Sequence, residues 1–293
     1  MQTIETRISE GDHYGALQSL KVLLVRASKK NNFDKVTSIG HKGSVLLLKR
    51  GFGTAGLDVS LNLIELWVSS GQEVTEEKKR AVKDICEAFS TGINDKAEAA
   101  KLNSRFLNAA LDWSKCSHKS GGSSQGEPSF HYLAAKSKIQ IGDAAGACEH
   151  FLHAQAAVEF AAFLVLWSKS GYPSERDMFL ARAILKLLAE EHHSEAKVVF
   201  NEYIGILESD NIHLSTPLYN FTRFLLTAIE KNSYPLFMIL REKYRPVLKS
   251  DPSFDVYLDK MQERIFNVKP QKKGMAAMMD NILGMFGGNP SQR

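Results

Sequence analysis

Reversal signals recur along the first hundred residues at nearly even spacing: Glu10-Gly11-Asp12, Lys30-Asn31-Asn32, Gly51-Phe52-Gly53, Ser70-Gly71-Gln72 and Asn94-Asp95. They stand roughly 20 residues apart, the interval of single helices in an array of helix pairs. The segments between them carry helical periodicity. Leu17, Leu20, Leu24 and Ala27 form one apolar stripe, Leu57, Leu61, Ile64 and Val68 a second, and Leu102, Phe106, Ala109 and Trp113 a third. No convincing run of period two appears, and helix starts are marked. Thr75, Ser174 (behind Pro173, with Asp177 three residues on), Thr216 before Pro217 and Asp251 before Pro252 supply capping oxygens or first-turn prolines. The expected fold is all-α.

A helix pair cannot bury both of its faces alone, so successive antiparallel hairpins stack into an α-solenoid. The repeat resembles the tetratricopeptide type, as an irregular superhelix lacking the full 34-residue signature. From Phe130 to Gly171 the chain reads as helix, Gly142-Asp143 turn, helix, and a third, almost wholly apolar helix. Ala147, Phe151 and Ala154 at i, i+4 and i+7 are expected on one stripe. The run from Phe160 to Trp167 is expected to be buried on both sides. A membrane span needs about 20 apolar residues, and Glu159 and Ser168 close this run too early.

Two breaks divide the array into an N-terminal half (1–116), a flexible polar loop rich in Gly and Ser (117–127), a C-terminal half (128–267) and a Met-rich tail (268–293). The tail carries Met275, Met278, Met279, Met285 and Phe286.

Charge narrows the partner. The 293 residues carry a formal charge of only +4, with 44% hydrophobic content, ample for a core. From Lys21 to Arg50, however, eight basic residues stand against one acid, Asp34. A nucleic-acid footprint would bring a more basic domain and stacking aromatics, so an acidic protein partner fits better. Cys86, Cys116 and Cys148 are odd in number and widely spaced, and imply neither a disulfide framework nor a zinc motif. The N-terminus has no basic-then-apolar signal, which points to the cytosol.

The motifs that suggest chemistry read better as structure. Gly51-Phe-Gly53-Thr-Ala-Gly56 fits GxGxxG, but about 20 residues on, where a dinucleotide site needs an acid ending a second strand, Glu73 to Lys79 opens a polar helix. A turn between two helices is expected. Cys148, His150 and His153 share a helical face without further ligands, which reads as a histidine pair rather than a metal site. His192-His193 falls at a helix–helix turn. Asp58 and Glu65 lie about 10.5 Å apart along a helix and read as an exposed acidic stripe. No catalytic residue and no cofactor are expected.

Several strings occur in order along the chain: Glu10 to Ala16, Leu46 to Lys49 followed by the glycine turn and Asp58, Leu63 to Leu66, Phe130 to Ala134, Gly142 to Phe151, Phe179 to Ala183, Phe254 to Lys260 and Asn281 to Gly288. Together they resemble the Golgi-to-ER traffic protein 4 family, the helical adaptors of tail-anchored-protein targeting. The resemblance implies a non-enzymatic cytosolic scaffold. Its N-terminal half would dock the targeting ATPase, and its C-terminal half would hold a ubiquitin-like adaptor or a large chaperone scaffold. No nucleic acid would bind and no segment would insert in the membrane. Through the shared strings, Arg26 and Lys29 fall at the family's basic ATPase-facing positions, and Asp58 and Glu65 at the acidic ones. The chain departs at Leu17, where the family commonly has histidine, and at the short Glu208 to Thr216 segment, where some fungal relatives carry a β-hairpin. An apolar groove around Phe221, Phe224, Leu225, Tyr257 and Phe266 is the expected second docking site. The alternative role is a helical-repeat scaffold subunit of another assembly.

Overall fold

The computed structural model describes residues 2–117 and 125–269. The middle of the expected flexible loop and the Met-rich tail beyond Lys269 lie outside the described residues. Fifteen α-helices are found among the described residues: α1 (Gln2–Ser9), α2 (His13–Lys29), α3 (Phe33–Lys49), α4 (Gly53–Ser69), α5 (Glu76–Gly92), α6 (Lys96–Ser117), α7 (Pro128–Gln140), α8 (Ala144–Phe151), α9 (Ala157–Lys169), α10 (Arg176–Ala189), α11 (His193–Ser209), α12 (Pro217–Glu230), α13 (Tyr234–Lys243), α14 (Arg245–Leu248) and α15 (Pro252–Arg264). There is no strand among them.

The chain divides into two compact units, one up to Phe160 and one from Ala161 onward. In the first, α2 to α7 pack each on its neighbour in sequence and on the next but one. This builds two rows, α2–α4–α6 and α3–α5–α7. Such a double row is what stacked antiparallel hairpins produce. In the second unit α10 is the hub, packed against α11, α12 and α15, while α13 lies on α12.

The division falls within α9 rather than at the Gly/Ser-rich stretch, because α6 and α7 on either side of that stretch pack directly on each other. The described end of the stretch is tied down. The Glu127 N–H donates to Ser114 Oγ at 3.0 Å, its carboxylate meets Lys79 Nζ at 3.0 Å, and the Gln125 carbonyl is 3.0 Å from His131 Nε2.

Turn chemistry follows the sequence closely. Asp12, Asn32, Thr75, Asp143, Thr216 and Asp251 each accept a backbone N–H in the first turn of the following helix, which satisfies donors a helix leaves open. The glycine motif joins α3 to α4. Gly51 has φ of +84°, a conformation glycine takes without strain. At Gly56 a Cβ would come within 2.5 Å of the Leu48 side chain, so the third glycine serves close helix packing.

The core of the first unit is centred on two indoles. Trp67 and Trp113 lie 4.6 Å apart by ring centroid, and both are buried. Each N–H is satisfied: Trp67 Nε1 donates to Thr37 Oγ1 and Trp113 Nε1 to the Gln72 carbonyl. Lys78, itself buried, places its ammonium 5.9 Å from the Trp67 ring and donates to Gln72 Oε1 and the Glu73 carbonyl. Burial lowers its pKa, against the opposing pull of Glu77, Asp34 and Glu73.

Four local expectations are corrected. Val68 is 48% exposed and Trp67 takes its place in the core, one residue around the helix. α8 ends at Phe151, so Ala154 is buried in the following turn rather than on the helical stripe. α9 is not covered on all sides: Val158 and Leu166 are 53% and 67% exposed, because only one side of this helix meets packed neighbours. Ser174 caps no helix; Pro173–Glu175 form a 3-10 turn, α10 starts at Arg176, and the buried Asp177 carboxylate accepts from the Thr216 hydroxyl.

Candidate functional site

The candidate docking face is built by α2 and α4. In α2 the buried stripe Ala16, Leu17, Leu20, Leu24 and Ala27 faces the core, which leaves Val22, Val25, Arg26 and Lys29 exposed on the other side. Leu17, the departure from the family pattern, is therefore a core residue and not part of a contact surface. In α4 the buried set includes Leu57, Ser60, Ile64 and Trp67, so Glu65 and Val68 are exposed and Asp58 is half-exposed.

α2 and α4 pack side by side and run parallel, since α3 returns between them. In their register Lys21 Nζ meets Asp58 Oδ2 in an ion pair at 2.5 Å. Seven to eight residues further along, Glu65 and Lys29 stand at the same level, about 11 Å on at 1.5 Å per residue. The structure thus brings Lys29 and Glu65 onto adjoining helices at one height, with Arg26 a turn earlier. It also shows that Asp58 is already paired within the chain. Arg26, Lys29 and Glu65 have no charged partner among the described residues.

Arg26 also borders a small cavity between α1 and α2, lined by Ile4, Arg7, Val22 and Leu23. Arg7 is committed there, donating to the Gly15 carbonyl at 3.0 Å and to Ser19 Oγ at 2.7 Å. The valines are the residues that the sequence pattern missed. Val22 and Val25 fall off the Leu17–Leu20–Leu24 stripe, and that offset was the available signal.

The expected C-terminal groove does not form as a set. Phe221 and Leu225 are both 0% exposed and belong to the core of α12, where the Phe221 ring lies 5.6 Å from Tyr244. They offer no surface to a partner. Phe224 points outward beneath the Arg223 guanidinium, 4.9 Å from its ring, and Tyr257 is half-buried on α15. Phe266 is half-buried and packs on Tyr234 and Phe237 at 5.5 and 5.1 Å. Among the large apolar side chains that the described residues of unit two expose are Phe224 on α12, Met238 and Ile239 on α13, and Val256 on α15.

Around His150 the structure adds a residue that sequence spacing does not connect to it. His131 Nδ1 lies 3.0 Å from His150 Nδ1, and the His131 and His153 rings are 5.2 Å apart. With His131 Nε2–H donating to Gln125, its Nδ1 accepts from His150 Nδ1–H, an arrangement that requires the His131 ring to stay neutral. Burial, reinforced by His131, Lys138 and His153, pushes His150 down to about 4, and burial lowers His131 as well. Among the described residues no group of three His, Cys, Asp or Glu side chains has a geometry suited to a metal ion. Cys86 is buried, which pushes its thiol far up and leaves it inert.

Comparison with known proteins covers the whole chain. A family model described as Golgi to ER traffic protein 4 matches residues 30–286. The Golgi to ER traffic protein 4 homolog of Dictyostelium discoideum is 31% identical over 98% of this chain and 89% of its own length. The human homolog is 30% identical over 99% of this chain and 86% of its own. The crystal structure of C. therm. Get4 superposes with a TM-score of 0.83 at 24% identity, covering 100% of this chain and 97% of that one.

Proposed function

The chain belongs to the Golgi to ER traffic protein 4 family, and on that premise we propose that it is a non-enzymatic cytosolic adaptor in the delivery of tail-anchored membrane proteins. Its N-terminal half, residues 1–116, docks the targeting ATPase. Its C-terminal half, residues 128–267, holds a ubiquitin-like adaptor or a large chaperone scaffold. No helix among the described residues is long and apolar enough to cross a membrane.

The observation that carries this reading is the α2–α4 face. Arg26, Lys29 and Glu65 stand exposed, with no charged partner among the described residues, beside Val22, Val25 and Val68. Charges of both signs around exposed apolar side chains give register and specificity together with desolvated contact area. The mechanism is tethering: two proteins held on one scaffold meet at a raised effective concentration. Where the face fits one ATPase conformation better, binding shifts the population towards it.

The test is reconstitution from purified components. The ATPase and the ubiquitin-like adaptor or chaperone scaffold, mixed without this chain, are expected to elute separately on a sizing column. With the full chain added they are expected to co-elute. Failure of the chain to co-elute with the ATPase overturns the reading.

A further inference from the structure

On the other row of the first unit, α5 and α7 enclose a trough of about 690 Å³, with Asn103 of α6 at its floor. A second hollow of about 560 Å³ lies between α3 and α5, and Glu87 and Thr91 line both. Two neighbouring hollows on either side of α5 suit an extended chain better than a compact ligand.

Its charge is unbalanced towards positive. Arg80, Lys83 and Lys136 are exposed along the rim. Of the two carboxylates lining the trough, Glu76 is held by Lys79 at 3.1 Å and Glu87 stands 3.9 Å from Lys83. Lys79 is also taken by Glu127. Arg80 and Lys136 have no acidic partner among the described residues, and Lys136 lies 5.6 Å from the Tyr132 ring.

The floor carries the second observation. Asn103 lines the trough though only 4% exposed, and its buried Oδ1 has no hydrogen-bond partner among the described residues. Its Nδ2 reaches only Ser137 Oγ, at 3.5 Å, and Ser137 is buried beside it. A buried amide oxygen left unpaired is costly and calls for an explanation. A donor arriving from the open side would satisfy it. Asn103 Oδ1 can accept and Ser137 Oγ–H can donate, which matches the N–H and C=O of an extended backbone. Successive side chains of such a peptide point to opposite sides, so alternate residues would face the charged rim and the apolar wall at Leu133.

We propose that this trough binds an extended acidic peptide segment of a partner protein, with its backbone N–H on Asn103 and its carboxylates on Arg80, Lys83 and Lys136. An acceptor oxygen at the floor repels phosphate, and the one aromatic ring in the trough, Tyr132, already carries Lys136, so a nucleic acid fits poorly. The chain's own tail has the wrong sign: beyond Val268 it carries Lys269, Lys272, Lys273 and Arg293 against Asp280.

The test is fluorescence anisotropy on the full chain with a labelled peptide of alternating Glu and Val, twelve residues long. Its Lys-Val counterpart and a U12 RNA serve as competitors. Saturable binding is expected, weakened about tenfold or more by Arg80→Glu/Lys136→Glu, with neither competitor displacing the peptide. Asn103→Leu is expected to weaken binding while leaving its salt dependence unchanged. Circular dichroism and urea midpoints establish that each variant folds, and the exposed rim pair keeps the test valid should the buried substitution destabilise the chain. No binding of the acidic peptide, binding unaffected by the rim pair, or displacement by U12 overturns the proposal.

Discussion

Lys21 on α2 and Asp58 on α4 are joined by an ion pair across the candidate docking face, so one of the two acids expected to meet the ATPase is already neutralised inside the chain. Both partners remain partly exposed, at 30% and 46% of the side chain, and an exposed pair of this kind stabilises by about 1 kcal/mol or less. The pair marks where the two packed helices lie level. Glu65 is then the acid left free for an external cation.

This ranks the acids. Glu65→Lys is expected to weaken ATPase binding more than Asp58→Ala, and Lys21→Ala is expected to make Asp58 matter by releasing it. Titration calorimetry on the three variants checks the order. Urea midpoints for Lys21→Ala and Asp58→Ala are expected to move little.

The exposed valines supply a separate test. Val22→Ser and Val25→Ser remove apolar surface without touching the α2 core stripe. They are expected to weaken ATPase binding to a similar extent at low and high salt, and to leave thermal stability unchanged. A loss confined to low salt would mean that the face works through charge alone.

The tilted pair of indoles, Trp67 and Trp113, is buried and gives a test of stability. Trp113→Ala removes the contact with Trp67, leaves a cavity beside Phe130, and breaks the bond to the Gln72 carbonyl. A loss of about 3–5 kcal/mol is expected, read as a lower urea midpoint. Trp113→Phe keeps most of the volume and is expected to lose less.

Acid should loosen the α7–α8 junction. His150 is held down to about 4 and His131 is lowered by burial, whereas both would titrate near 6.5 in the unfolded chain. The unfolded state therefore binds more protons below about 6.5, and stability falls as pH drops from there towards about 4. Urea midpoints between pH 7.5 and 4.5 measure the slope. His150→Gln is expected to flatten it.

The helices were legible because burial imposes a period on the chain. Leu20, Leu24, Phe106 and Trp113 lie where their spacing placed them, and capping oxygens at Thr75, Thr216 and Asp251 marked the starts. What the pattern could not carry was which apolar side chains face water. Val68 and Trp67 differ by one residue, a rotation of about 100°, and only the arrival of Trp113 decides between them. Phe221 and Leu225 at i and i+4 mark a buried stripe as readily as a groove wall, and the structure makes them core. The His131–His150 contact joins two helices across a turn, so no local spacing announces it. The Lys21–Asp58 pair is hidden for the same reason, although the basic run around it was plain.

The most direct test of the adaptor reading is the affinity of the full chain for the purified targeting ATPase, measured with and without ATP across a salt series, beside Arg26→Glu/Lys29→Glu. Binding is expected to be tighter with ATP, to weaken as salt rises, and to be lost in the double variant while its urea midpoint stays in place. Binding indifferent to nucleotide and salt and retained by the double variant would contradict the α2–α4 face as the ATPase dock.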